Sequence, residues 1–233
     1  LELRRSFFPW LRVLAGVDIQ TAYVRLDAAV PVPLREGEFQ RPPGVLGQVR
    51  ADSGDFYLNP GLYAEFSLKP HERVSLTPGL RLDYYSYLGR MNIDPRLSGR
   101  LRVSPITWLK FGAGLYGQDP AVQDYFSTFG NDRLRLERAS HLSLAVEQAI
   151  WQGLLVEITG IYKYLWDFAG PSSLNRRFGG GTDPQDTRPE RTATQVTGHI
   201  YGATFLLRQK LSRYFFGWVS YSLLRSERRD CDT

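Results

Sequence analysis

Three histidines, His71, His141 and His199, and a carboxylate pair, Glu147 and Glu157, are the residues of this chain whose types could do chemistry. Metal ligation needs two or more such groups at ligand spacing, and no two of the histidines show it. His71 falls in a turn, while His141 and His199 fall on segments that read as strands. A pore-facing or strand-end polar role is expected for both, with no metal. Glu147 and Glu157 face each other across the hairpin that turns through Trp151-Gln152-Gly153. Facing carboxylates can divide acid and base roles, but on a polar sheet face such groups ordinarily meet water or a packed partner. No phosphate-binding glycine loop with lysine, no nucleophile elbow and no HExxH motif occurs. Gly179-Gly180-Gly181-Thr182-Asp183 lacks the spacing and repetition of a calcium-binding nonapeptide and reads as loop. Neither an enzyme nor a bound cofactor is expected.

The segments that carry these residues alternate with period two. Val74, Leu76, Leu80 and Leu82 oppose Ser75, Thr77, Arg81 and Asp83; Leu97, Leu101 and Val103 oppose Arg96, Ser98, Arg100 and Arg102. Leu109, Phe111, Ala113 and Leu115 then oppose Lys110, Gly112, Gly114 and Tyr116. That period is the pleat of a sheet. The runs exceed the usual length of a soluble strand and match a tilted strand that crosses a bilayer. About nine such strands are expected, the first beginning at Trp10 and the last holding Val219, Tyr221 and Leu223. Long polar segments at about 31–54, 119–137 and 169–196 alternate with tight turns at Lys69–Glu72, Ser104–Thr107, Trp151–Gly153 and Leu211–Tyr214, with one short exception at Gly89–Ile93.

Aromatic residues gather at the strand ends. Trp10, Trp108, Trp151, Phe215, Phe216 and Trp218 lie by the tight turns, and Tyr84, Tyr85, Tyr87, Tyr116, Tyr164 and Trp166 by the long segments. Amphipathic rings prefer the headgroup level of a membrane, so two girdles are expected. The fold class is therefore all-β: a partial antiparallel transmembrane β-barrel over residues 1–233, with short periplasmic turns and long extracellular loops. A soluble all-β module would alternate too, and Pro60 and Pro78, each mid-strand, favour an edge or bulge.

Composition agrees. Among 233 residues, no window approaches 18 uncharged apolar residues, which excludes a helical span. A mean hydropathy of -0.30 does not exclude a barrel, because half its strand residues face a wet interior. The net charge of +5 comes from arginines set singly along polar faces and in loops, so no nucleic-acid partner is expected. The lone Cys231 makes no internal disulfide. The chain has no starting Met or signal peptide, and a fragment is expected.

An ordered series of motifs then resembles the barrel of TonB-dependent outer-membrane receptors. It comprises Leu76-Thr77-Pro78-Gly79-Leu80-Arg81-Leu82-Asp83-Tyr84, Asp94-Pro95-Arg96-Leu97-Ser98 and Trp108-Leu109-Lys110-Phe111-Gly112-Ala113-Gly114-Leu115-Tyr116. His141 to Glu147 with Glu157 to Tyr162, and Tyr201-Gly202 to Arg208 with Phe216-Gly217-Trp218-Val219-Ser220-Tyr221, complete it. The resemblance implies a barrel of about 22 strands filled by an N-terminal plug domain, with TonB as the energy-coupling partner. It also makes the proline-glycine step at Pro78 ordinary. Nine being odd, whereas bacterial barrels close with even numbers, a middle section of a larger receptor is expected. Such a section alone would expose two strand edges to lipid and should not insert as a monomeric barrel.

Transport is then the expected function: energy-coupled uptake of a scarce solute such as a siderophore, corrinoid or glycan, in the bacterial outer membrane. A passive porin or surface adhesin is the alternative. Arg81, Asp83, Arg96, Arg100, Arg102, Lys110, Glu147 and Arg208 are expected to face the lumen, against a plug, a polar solute or water. Tyr116, Gln118, Asp119, Asp124 and Tyr125, with Arg176 and Arg177, are expected at the pore mouth as ligand-binding residues. Lipid surrounds the wall, and loop arginines can meet lipopolysaccharide phosphates.

Overall fold

The computed structural model describes residues 1–31, 48–121, 134–151, 153–171, 192–210 and 215–230. Ten strands form: β1 (Glu2–Phe8), β2 (Leu11–Pro31), β3 (Gln48–His71), β4 (Val74–Tyr85), β5 (Arg90–Ser104), β6 (Thr107–Gln118), β7 (Glu137–Trp151), β8 (Leu154–Pro171), β9 (Thr192–Gln209) and β10 (Gly217–Asp230). They make a single sheet in strict chain order, each strand antiparallel to the next, with β1 and β10 at its edges. The strand beyond the expected nine is β1, so the odd count falls away. Its Arg5 interrupts the apolar side between Leu3 and Phe7, where the guanidinium lies 5.3 Å from the Phe7 ring centre. That interruption hides the alternation in so short a strand.

Register sorts the side chains onto two faces. Arg81 pairs with Asp94, Ser98 with Gly112, Gly114 with His141, and Glu147 with Glu157, so the polar residues of successive strands share one side. The other side carries Leu80, Leu97, Leu142, Leu144, Ile158 and Phe205, all exposed, Leu144 at 61%. The polar side is the sheltered one: Asn92 is 0% and Glu147 5% exposed. A water-soluble protein has the opposite order. Full burial of a leucine is worth about 1.5–3 kcal/mol, and these, about half exposed, still gain roughly half of that on leaving water, so a continuous wall of them is stable only against lipid. A sandwich would need those leucines under a second sheet, and all ten strands lie in one.

The ladder also accounts for the prolines. Pro60 pairs with Ile19 of β2, but the β3–β4 ladder starts one residue later, at Gly61 and Asp83. Pro78 pairs with Leu97 of β5 where the β3–β4 ladder is interrupted between Gly79 and Leu76. Pro95 pairs with Leu80, and the β5–β6 ladder starts at Arg96. Each missing N–H falls where one side of the strand makes no bond.

At the tight-turn end the hairpins are stitched together. Lys69 N donates to Trp10 O, Arg102 N to Arg73 O, Ala149 N to Ile106 O and Lys210 N to Gly153 O, all at 2.7–2.8 Å. Gly153 takes a φ of 77° and Gly89, in the β4–β5 turn, a φ of 60°, a conformation that glycine adopts without cost. At the other end β2 and β3 remain paired as far as Pro31 and Gln48, well into the segment expected as loop. On the β3 side Val49 and Ala51 alternate with Arg50 and Asp52, a run too short to be told from loop in the sequence. The β4–β5 turn likewise ends at Gly89, and β5 begins at Arg90 rather than after Ile93. The remaining parts of the three long segments, the Leu211–Tyr214 turn and Cys231 lie outside the described residues.

Candidate functional site

Two ion-pair clusters tie the polar face. In the first, Arg81 of β4 donates from Nε to both oxygens of Asp83, at 2.9 Å each. Its Nη2 reaches Asp83 Oδ1 at 2.7 Å and Asp18 Oδ2 of β2 at 2.9 Å. The guanidinium thus passes over β3, where the residue beneath it is Gly61. A Cβ at 61 would lie 2.6 Å from Asp83 Oδ1 and 2.8 Å from Arg81 Nη2, so only glycine leaves the bridge its space. The Tyr63 ring flanks Arg81 at 6.0 Å.

The second cluster answers a problem set by register. Glu147 of β7 stands directly opposite Glu157 of β8, a like-charge pair that destabilises a ladder. Lys110 of β6 donates to Glu147 and, at 2.7 Å, to Glu157, and Arg100 of β5 reaches Glu147 Oε1 at 2.6 Å. Two cations therefore neutralise two carboxylates across four strands. The Arg100 guanidinium also lies 5.0 Å from the Trp108 ring centre.

Between these clusters one row crosses the sheet: Arg96 of β5, Gly114 of β6, His141 of β7 and Lys163 of β8. The Tyr116 ring tilts against His141, centroids 4.4 Å apart, and lies 5.6 Å from the Arg96 guanidinium. Among the described residues Arg96 comes no nearer than 4.0 Å to a carboxylate, that of Glu65. A groove of about 520 Å³ opens over this row.

Toward the long-loop end, Tyr87 donates its hydroxyl to Asp119 Oδ2 at 2.9 Å and meets Tyr57 edge-on at 4.8 Å. Burial first, and then the Asp119 carboxylate, hold that hydroxyl protonated well above the ordinary phenol range. Gln118 Nε2 donates to Glu137 Oε2 at 2.7 Å. On the polar side of β5, both amide atoms of Asn92, Asp94 Oδ1 and Arg96 Nε are occluded and without a hydrogen-bond partner among the described residues.

All eight residues expected to share a lumen side do share one face. Six are joined through the clusters or the row, while Arg102 and Arg208 stand exposed toward the tight-turn rim, unpaired among the described residues. Of the expected mouth residues, Tyr116 sits two positions inside the end of β6, packed in the row, and Gln118 and Asp119 follow it. Asp124, Tyr125, Arg176 and Arg177 lie outside the described residues. Sequence reasoning did not single out Asp18, Asn92, Asp94 or Lys163 as site residues. Asp18 lies between Val17 and Ile19 in the sequence, and only register brings it to Arg81. Asn92 and Asp94 alternate with Met91 and Ile93, a strand signal that the turn assignment hid. No group of three or more His, Cys, Asp or Glu able to hold a metal occurs among the described residues.

The single-layer wall, its lipid-type face and its ion-paired reverse now meet the comparison that decides the lineage: a family model of the TonB dependent receptor-like β-barrel matches residues 11–232. The chain belongs to the TonB-dependent receptor β-barrel family. Its place is thus the bacterial outer membrane. The fold is similar to the outer-membrane transporter YddB of Escherichia coli, with 13% identity, a TM-score of 0.66, and coverage of 97% of this chain and 32% of that one. It is also similar to the Pseudomonas aeruginosa ferric enterobactin receptor PfeA solved with enterobactin, at 16% identity and TM-score 0.70, covering 100% of this chain and 38% of that one. The siderophore receptor PirA of the same organism matches at 16% identity and TM-score 0.66, over 98% of this chain and 39% of that one. The chain thus spans about a third of the length of these solved structures. No curated protein sequence matches it.

Proposed function

We propose that this chain forms a ten-strand section of the wall of an energy-coupled outer-membrane receptor, its polar face lining a lumen that a plug domain fills and TonB acts upon. The observation that carries the reading is the inverted burial: leucines exposed on one side, ion-paired carboxylates sheltered on the other, in a single sheet of sequential strands. Among the described residues the face offers charge pairs and hydrogen bonds, which suit it to hold and pass a solute. The solute enters from the long-loop end, where Tyr116, Gln118 and Asp119 lead into the segment carrying Asp124 and Tyr125, with Arg176 and Arg177 on the next. Lipid, and lipopolysaccharide phosphates at the loops, are the outer partners. A siderophore is the first solute to try, because PfeA and PirA are siderophore receptors; corrinoids and glycans follow.

The test is uptake of labelled ferric siderophores, corrinoids and maltodextrins by cells carrying the full-length receptor, with and without TonB. Accumulation of one of them that requires both supports the reading. Accumulation that persists without TonB replaces it with a passive pore.

A further inference from the structure

The two ion-pair clusters and the row between them follow different rules. Arg81, Arg100 and Lys110 each have a carboxylate oxygen within 3 Å. Arg96 and Lys163, at mid-height on the same face, do not. Arg96 has only Glu65 at 4.0 Å, with both side chains about a third exposed, and Lys163 has no ion pair among the described residues. Arg81, Arg100 and Lys110 are thus answered at close range by anions of the same face, whereas Arg96 has Glu65 only at the outer limit of an ion pair and Lys163, like the exposed Arg102 and Arg208, has none among the described residues.

The geometry between the two cations is open. Three strand spacings separate Arg96 from Lys163, roughly 14 Å between their backbones, and the residues between them are Gly114 and His141. Gly114 contributes no side chain. Tyr116 and His141, their rings tilted against each other at 4.4 Å, form one wall. The next row holds Ser98, Gly112, Ser143 and Ile161, so the floor is low and carries two hydroxyls, of which that of Ser143 makes a long bond to Gly112 O at 3.4 Å. Arg96 and Lys163 both line this groove of about 520 Å³, with Glu65 beside Arg96, and its volume leaves room for a small anion with charges at both ends.

We propose that the groove between Arg96 and Lys163 is a carboxylate-binding site suited to a dicarboxylate. Arg96 grips one carboxylate with its planar fork, Lys163 neutralises the other, and Ser98 and Ser143 donate to whichever oxygens remain. The carboxylates come from a free solute or from acidic side chains of a polypeptide segment held against the face, and the experiment separates the two.

Purified full-length receptor is titrated with glutarate against chloride at matched ionic strength, and its thermal midpoint is followed. A rise in midpoint that weakens about tenfold or more in apparent affinity in Arg96→Gln with Lys163→Gln supports a free carboxylate, since each charge-assisted bond lost is worth that much. The exchanged pair Arg96→Lys with Lys163→Arg keeps both charges and should keep the response, which separates recognition from misfolding. If glutarate has no effect on the wild type, but a photo-crosslinker at position 98 traps an acidic segment of the receptor and the neutralised variant loses the crosslink, the polypeptide source is supported. No glutarate response and no crosslink to an acidic segment overturns the site. The measurement uses no uptake step, so failure of the transport reading leaves its outcome standing, and the reverse.

Discussion

The Lys110 cluster and the Arg96 row are adjacent on one face, built on the same four strands, yet one is closed electrostatically and the other open. In the cluster, register forces Glu147 against Glu157, and the cations are needed to make the wall itself tenable. In the row, register places a glycine and a histidine between two cations, and nothing in the wall requires them. Charges that complete a fold are paired within it; charges surplus to the fold are available to something else. The largest test of that distinction is Lys110→Met. Glu147, whose side chain is only 7% exposed, would keep Arg100 but face Glu157 unbridged. Removing a partner from a fully buried pair costs about 3–5 kcal/mol. With Lys110 itself about a third exposed, a loss of about 2 kcal/mol is expected in urea unfolding of the full receptor in detergent. Recovery on adding Glu147→Gln and Glu157→Gln would show that the cost is the stranded charge. A loss below about 0.5 kcal/mol, ordinary for a surface substitution, would make the cluster no different from the row.

Backbone space differs in the same way. Gly61 lies under a fixed guanidinium and two carboxylates, while at Gly112 an added Cβ would meet only the Ser143 hydroxyl, at 2.9 Å. Gly61→Ala must therefore push a paired ion aside, and about 1–2 kcal/mol of destabilisation is expected, within the range for overpacking. Gly112→Ala requires one hydroxyl to rotate and should cost less than about 0.5 kcal/mol. Equal costs in the same unfolding assay would mean that the space at 61 is not reserved for the Asp18–Arg81 bridge.

Much of this was legible beforehand, and the gaps have physical causes. Alternation tells which side of a strand each residue takes, because lipid and a wet interior impose opposite demands on successive residues. It therefore put Arg81, Arg96, Lys110 and Glu147 together on one side. It says nothing of register, which is set by the turns, so Asp18 could not be matched to Arg81 across 63 positions nor Lys163 to the row. Alternation also fails in short runs. Val49 and Ala51 alternate with Arg50 and Asp52 for too few residues to be told from loop, and β1 is too short to absorb Arg5 without losing its pattern. The prolines misled for a related reason: a strand has two ladders, and the sequence does not tell that one of them is interrupted at Pro78.

The smallest expected effect bears most directly on the row. Glu65 is the one carboxylate paired with Arg96 among the described residues, at 4.0 Å and about a third exposed, and pairs of that kind contribute about 0–1 kcal/mol. Glu65→Gln should change the unfolding midpoint of the receptor very little. It should, however, leave Arg96 without a competitor, so that glutarate binds more tightly than to the wild type. A carboxylate that completed the fold would behave in the opposite sense, since its loss would disorder Arg96 and weaken any anion held there. Tighter binding with an unchanged midpoint would mark the row as surplus charge, and weaker binding with a lowered midpoint would make Glu65 and Arg96 a third cluster of the kind seen at Arg81 and Lys110.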